Sequence, residues 1–285
     1  MKEFDPKELE KLYIPPNDSH KGQNGKLMVI AGSRLFHAAF LWPLTVASRI
    51  VDMVFYSSIA ENNEIVIKAK EEFRNGIVVP RSKIEDYITE TDCILIGPGL
   101  PRPEGAELGD DDTKELTEKL FKKFPDKKWV VDGGSLQTVA PELLPKNSIV
   151  TPHKGEFEML KLKMQNSKLK IAMQNSKLEE QVQMFAREFG VVVLLKGEKD
   201  IICSPLEGVE IAGGNTGMTK GGTGDVLAGL VAALACKNDL FLAATTGAYI
   251  NKKAGEELFE KVGYYFNASD LADEIPIVLN QIISK

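Results

Sequence analysis

The sequence predicts an α/β fold on a mostly parallel sheet, and two observations carry that expectation. Short β-branched runs, several of them apolar throughout, alternate with amphipathic stretches along most of the chain. A strand that is apolar at every position is covered on both faces, as parallel strands are. No Pro-rich or Ser-rich linker interrupts the alternation, so residues 1–285 read as one domain. With 43% apolar and 27% charged residues the chain has ample material for a dry core. A chain of roughly 300 residues buries about three-quarters of its unfolded surface.

The expected strands, in order, are Lys26–Ala31, Ile65–Lys68, Cys93–Ile96, Trp129–Val131, Ser148–Val150 and Val191–Leu195. Helical stretches such as Asp112–Phe124 and Leu178–Glu188 lie between them, giving a βαβ pattern. The longest apolar stretch, Val226–Cys236, is about half of the roughly 20 residues a bilayer requires, and reads as a buried helix. Pro101–Asp112, rich in Pro, Gly and acid, reads as a loop or flap. The hexapeptide MQNSKL occurs at Met164–Leu169 and again at Met173–Leu178. An offset of nine residues at about 100° per residue sets the copies on opposite faces of a helix, so they read as an expanded surface helix and not a shared binding surface.

Thirty-five Lys and Arg against 41 Asp and Glu leave a net charge of −6, which argues against nucleic acid as a partner. The charged start, MKEFDPKELEKLY, is no secretory signal, and Cys93, Cys203 and Cys236 are odd in number and far apart. The expectation is a soluble, reduced, cytoplasmic protein without a membrane span. With only His20, His37 and His153 and no CxxC pair, any metal must be held by oxygen.

The segment GGNTGMTKGGTGDVLAGLVAALA, residues 213–235, carries the most chemistry. Four glycines between Gly217 and Gly224 precede a long apolar helix. Glycines allow positive φ and close backbone approach, and unpaired N–H groups at a helix start attract an anion. The loop is expected to hold a phosphate. It is not a P-loop, because Gly222 is followed by Thr223 and Gly224 where a Lys is required. The best dinucleotide fingerprint, at Gly97, has Arg102 in place of its third glycine. What remains is an acid among the N–H donors: Asp225 is placed to accept a proton from an attacking hydroxyl during phosphoryl transfer. The competing interpretation is that Thr223 or Asp225 merely caps the helix. The number of glycines favours the functional interpretation.

GGTGDVLAGLVAAL resembles the GxGD segment of the ribokinase-like superfamily. Further motifs narrow the resemblance: HKGQNGK at His20–Lys26 running into LMVIAGS, IGPGL at Ile96–Leu100, VVDGGSL at Val130–Leu136, TPHKGEF at Thr151–Phe157 and LLKG at Leu194–Gly197. In this order they resemble the ADP- or ATP-dependent NAD(P)H-hydrate dehydratases, from about His20 to Gly247. The resemblance implies a ribokinase-like three-layer αβα fold and a carbon-oxygen lyase that repairs NADH or NADPH hydrated on the nicotinamide ring (NADHX, NADPHX; S epimer). ADP or ATP is the implied co-substrate and Mg²⁺ the implied cofactor. Hydroxide leaves poorly, so phosphorylating the ring hydroxyl and then eliminating phosphate divides a difficult dehydration into two easier steps.

By the same resemblance Asp225 is the base and Gly222, Thr223 and Gly224 hold the transferred phosphoryl group. Ala39, Gly99 and His153, together with Asp225, contact the hydrate; at Gly99 the missing side chain lets a flat ring approach. The stretch Lys196, Gly197, Glu198, Lys199 and Asp200, with Asn215 and Gly224, is assigned to the nucleotide. Lys196 is otherwise a solvated lysine in a charged turn, and Asn215 braces the loop or simply turns the chain. Glu156 either binds Mg²⁺ through water or is a first-turn helix acid favoured by the dipole. Two positions depart from the family pattern: Ala38 stands for a glycine, and Gly134 stands for a carboxylate that would contribute to nucleotide or metal affinity. The resemblance further implies a homo-oligomer, taken as a tetramer, and a separate NAD(P)H-hydrate epimerase as functional partner, since no N-terminal epimerase domain is expected here. The alternatives are a small-molecule kinase of the same superfamily, acting on a vitamin precursor or sugar, and a nucleotide-binding protein without turnover.

Overall fold

The computed structural model describes residues 1–68 and 76–283. Its strands are β1 (Lys2–Glu3), β2 (Lys26–Ile30), β3 (Met53–Ser57), β4 (Ile77–Val78), β5 (Cys93–Ile96), β6 (Lys128–Val131), β7 (Ser148–Val150), β8 (Val192–Leu195), β9 (Asp200–Cys203) and β10 (Gly208–Ile211). They form one sheet in the order β1-β10-β9-β8-β7-β6-β5-β2-β3-β4. Among the described residues β9 is antiparallel to both its neighbours, and every other pairing is parallel.

The helices are α1 (Leu41–Ala47), α2 (Ala60–Lys68), α3 (Ile84–Glu90), α4 (Thr113–Lys123), α5 (Gly133–Thr138), α6 (Lys154–Lys163), α7 (Ser167–Gln174), α8 (Leu178–Phe189), α9 (Thr223–Lys237), α10 (Leu240–Val262) and α11 (Ala268–Ile283). Alternation along the strands sorts the side chains into two cores. Leu27 and Val29 of β2, Leu95 of β5 and Leu194 of β8 pack with α1, α9, α10 and α11. Met28 and Ile30, Ile94 and Ile96, Val193 and Leu195 face the other way, onto α3, α4, α5, α6 and α8. The result is the three-layer αβα arrangement that the resemblance implies, with a dry core on each face of the sheet.

Most expected elements stand within a residue or two of their sequence limits. Asp112 caps α4, its side chain accepting from Glu115 N at 2.9 Å, and α8 ends on Gly190 in the left-handed conformation. Loop character holds for Pro101–Asp112 apart from a short 3-10 turn, Pro103–Gly105. Ile65–Lys68 is a correction. It closes helix α2, because a run of three apolar residues, Ile65–Ile67, has no period that separates a strand from a helix turn. Expectation and structure also differ at the MQNSKL copies, which do not lie in one helix. Each bridges a junction, α6 to α7 and then α7 to α8. Met164 and Met173 are both buried, so each copy plugs the second core where the chain turns.

No helix among the described residues is long and apolar enough to cross a membrane. Helix α9, buried over Val226–Cys236, lies between the sheet and helices α1, α10 and α11. Its contact with α1 is close: a methyl group on Gly229 would stand 2.4 Å from Pro43 Cα. Because this crossing sets the position of the α9 amino end, Gly229→Ala forces backbone apart. It is expected to cost about 1–3 kcal/mol of stability in urea denaturation.

Candidate active site

The carboxyl ends of β5, β6, β7 and β8 lie side by side, and in open parallel sheets this edge is where ligands bind. Adjacent strands place three polar side chains there: Asp132 after β6, Thr151 after β7 and Lys196 after β8. Thr151 Oγ1 donates to Asp132 Oδ1 at 2.7 Å, and Lys196 Nζ donates to the same oxygen at 2.8 Å. A bridge between His153 and Lys196 continues the β7–β8 pairing past Pro152, whose carbonyl accepts from Lys196 N at 2.8 Å. The lysine backbone is thus held to its neighbour while its ammonium reaches Asp132.

The glycine loop approaches from the other side. Asn215 accepts from Gly217 N at 2.9 Å and donates to Gly255 O of α10 at 2.7 Å, so it braces the loop as its sequence position suggested. Gly222 has φ +91° and rests on the Trp42 indole, where a Cβ would stand 2.7 Å from the ring. Only glycine takes this turn without strain. Thr223 Oγ1 turns back, donating to Met218 O at 2.6 Å and Lys220 O at 2.8 Å. The residue at the cap position of α9 is Gly222, and no side chain caps the helix. The capping interpretation of Thr223 and Asp225 therefore fails; of the first-turn N–H groups, that of Thr223 donates to Lys220 O at 3.3 Å.

Asp225 stands on that first turn, and burial pushes its carboxyl up to about 8, with the charges of Asp132 and Glu156 adding to the shift and Lys196 opposing it. The Lys196 ammonium is disfavoured by burial, but Asp132, Glu156 and Asp225 outweigh that and hold its pKa above the ordinary value. A Cβ on Gly224 would lie 3.6 Å from Lys196 Nζ, which locates the ammonium over the helix start.

His153 and Glu156 form a reciprocal cap on α6. His153 Nδ1 accepts from Gly155 N at 3.0 Å and Glu156 N at 3.3 Å, while Glu156 Oε2 accepts from His153 N at 2.9 Å. Gln137 donates to Glu156 Oε1 at 2.8 Å, so both carboxylate oxygens are engaged in structure.

A cavity of about 770 Å³ opens between the turn after β8, the glycine loop and α10; Asp225, Gly222 and Glu156 lie outside its lining. Of the residues singled out in the sequence, His153, Lys196, Gly197, Glu198, Asp200, Asn215, Thr223 and Gly224 line it. Lys199 is elsewhere, exposed and 3.9 Å from Glu210. Ala39 and Gly99 meet each other at the ends of β2 and β5. A Cβ on Gly99 would lie 2.4 Å from Ala39 Cβ and 3.2 Å from Phe36 O, so the missing side chain makes room for the 36–39 segment. At the departure position Gly134 a Cβ would fall 2.1 Å from Leu100 O, and the loop is closed around a glycine there.

Sequence reasoning missed three contributors. Asp132 carried a signal, an acid ending an apolar strand, but had no assigned role. Leu227 is one turn along α9 from Gly224, an apolar helix residue like its neighbours in sequence. Lys252 looked like any surface helix lysine. It is buried, 3.5 Å from Asp200, and donates to the carbonyls of Gly197, Glu198 and Gly213 at 3.0–3.2 Å, tying the turn after β8 to the glycine loop.

The fold is a three-layer α/β arrangement with an uncapped helix start beside an acid and a lysine. The family model for NAD(P)H-hydrate dehydratase matches residues 27–277, and the chain belongs to that family. It is 34% identical to the bifunctional NAD(P)H-hydrate repair enzyme Nnr of Methanocaldococcus jannaschii, over 95% of this chain and 51% of that protein. Similarity to the ADP-dependent (S)-NAD(P)H-hydrate dehydratase of Nitrosopumilus maritimus is also 34%, over 95% of this chain and 94% of that one. The chain thus spans about half the length of the bifunctional relatives. Its fold matches the ADP/ATP-dependent NAD(P)H-hydrate dehydratase of Bacillus subtilis, co-crystallised with ATP and Mg²⁺, with TM-score 0.77 and 22% identity over 99% of this chain and 98% of that one.

Asp225 holds its proton more tightly in the fold, at about 8, than at its ordinary value of 3.8. Its contribution to stability is therefore full at low pH and is lost as pH rises through about 8. Asp225→Asn keeps the neutral shape at all pH. It should melt like the parent near pH 4 and at least ~2 °C higher above pH 8, a gap on the order of 1 kcal/mol for a chain of this size.

Proposed function

We propose that the protein dehydrates NADH or NADPH hydrated on the nicotinamide ring, acting on the S epimer at the expense of ADP or ATP. The observation that carries this reading is the uncapped amino end of α9, with Asp225 beside it and Lys196 above it, in a chain of the dehydratase family. In the first step Asp225 takes the proton of the ring hydroxyl while that oxygen attacks the terminal phosphorus and the phosphoanhydride bond breaks. The backbone N–H groups of Gly222 and Gly224, with Lys196, neutralise charge on the transferred group beside Thr223, whose own N–H is held by Lys220 O. In the second step the carbon-oxygen bond breaks, phosphate leaves, and the neighbouring carbon loses a proton as the ring double bond forms. An acid pushed up to about 8 is a base matched to neutral pH.

Mg²⁺ fits this site. The charges of three acids, Asp132, Glu156 and Asp225, act on one ammonium, and Asp225 is raised first by burial and then by the charges of Asp132 and Glu156. No three His, Cys, Asp or Glu groups among the described residues converge as a cage, which suits a hard cation bound mainly by phosphates and water. Asp132 and Glu156 would hold it through water, and its chemistry is to neutralise charge on the phosphates. His153, Ala39 and Gly99 line the hydrate's side in this reading, and the turn at 197–200 with Asn215 takes the nucleotide. A reduced cytoplasm agrees with the three buried free thiols. An epimerase would supply the S epimer, and the working form would be a homo-oligomer.

Enzymatically hydrated NADH, mixed with the protein, Mg²⁺ and ADP or ATP, should regain the absorbance of the reduced nicotinamide. No recovery with either nucleotide contradicts the reading, and accumulation of a stable phosphate ester marks a kinase instead. Asp225→Asn should fold yet lose about 10²–10⁴-fold in kcat. For the parent, kcat/KM should fall about tenfold per pH unit below about 8, because the base must be ionised. A flat profile between pH 6 and 8 removes Asp225 from the base role.

A further inference from the structure

We infer that Asn251 reads the base edge of the nucleotide and selects adenine over guanine; the inference rests on the nucleotide reading above. Asn251 of α10 lines the cavity, as do Met218, Thr223 and Leu227. It is 5% exposed. Its Oδ1 is one of four buried side-chain atoms without a hydrogen-bond partner among the described residues, and the other three, on Tyr56, Ser57 and Gln137, do not line this cavity. Turning the carboxamide over only puts Nδ2 in the unpaired place. Buried amides are nearly always paired, so one left open at a cavity wall is completed by what enters the cavity.

Position and chemistry narrow the occupant. Phosphates belong at Lys196 and the α9 start, where the cations and N–H groups are. The cavity that Asn251 lines also carries the apolar side chains Leu227 and Met218, which suit a flat ring. On its N6/N7 edge adenine offers one donor and one acceptor, the complement of a carboxamide, whereas guanine offers two acceptors there. The neighbouring Lys252, bound to three carbonyls and Asp200, fixes the register of α10 at this point.

The test uses Asn251→Leu and Asn251→Asp in the full chain. Calorimetric Kd values for ADP, GDP and 2′-deoxyADP are measured without hydrate, and KM and kcat with hydrated NADH. The parent should prefer ADP to GDP. Both variants should weaken ADP by about 10–100-fold, leave saturating kcat within about twofold and erase the preference over GDP. A carboxylate fails as leucine does because it has no donor for N7. A weakening equal for ADP and GDP overturns the inference. So does a loss confined to ADP and absent with 2′-deoxyADP, which would place the contact on the ribose. Loss of ADP preference in calorimetry, with no turnover of hydrate by any form, supports Asn251 as the base reader and removes the dehydratase reading alone.

Discussion

Three carboxylates share one ammonium where the sheet meets α9, and the rest of the site is arranged around that imbalance. Asp132 accepts from Lys196 and Thr151 on a single oxygen, Glu156 is fully engaged in the α6 cap, and Asp225 is left as the acid whose charge has least compensation. Burial and its two acidic neighbours raise its pKa to about 8, against an opposing Lys196. An acid held in this way accepts a proton readily and is receptive to a cation. Both properties serve phosphoryl transfer, and neither requires Asp225 to move.

The fold enforces the imbalance by rigid means. Asp132, Thr151 and Lys196 follow three adjacent parallel strands, so their spacing is that of the sheet. Asp225 sits on a helix locked by its contact with Pro43 at Gly229 and by the turn of Gly222 against Trp42. Lys252 and Asn215 tie both sides of the cavity to α10. The acid and the ammonium thus belong to different layers of the molecule and are brought together only by its packing.

Much of this was legible in the sequence because the signals were local. Continuous apolar runs identified β2, β5, β6, β7 and β8, and the glycine cluster before an apolar stretch marked the turn that opens α9. Strands β1, β3, β4, β9 and β10 were missed. The last two belong to the antiparallel edge of the sheet, where β10 is only partly buried and its sequence, GVEI, is not a continuous apolar run. Residues 65–68 were misread because three apolar residues followed by a lysine carry no period. At the site, Lys252 and Asn251 gave no warning, since a lysine and an asparagine in a helix are ordinary until tertiary packing buries them. The Gly134 departure looked like a lost carboxylate, and in three dimensions it is a position where a carbonyl excludes any side chain.

Titration of the Asp225 carboxyl, followed by NMR of ¹³C-labelled aspartate in the parent and in Asp225→Asn, tests the central claim most directly. The account predicts one carboxyl resonance with a midpoint near 8, absent from the variant and moved to lower pH when Mg²⁺ and nucleotide are added together. An Asp225 that titrates near its ordinary value of 3.8 in the free protein would contradict it.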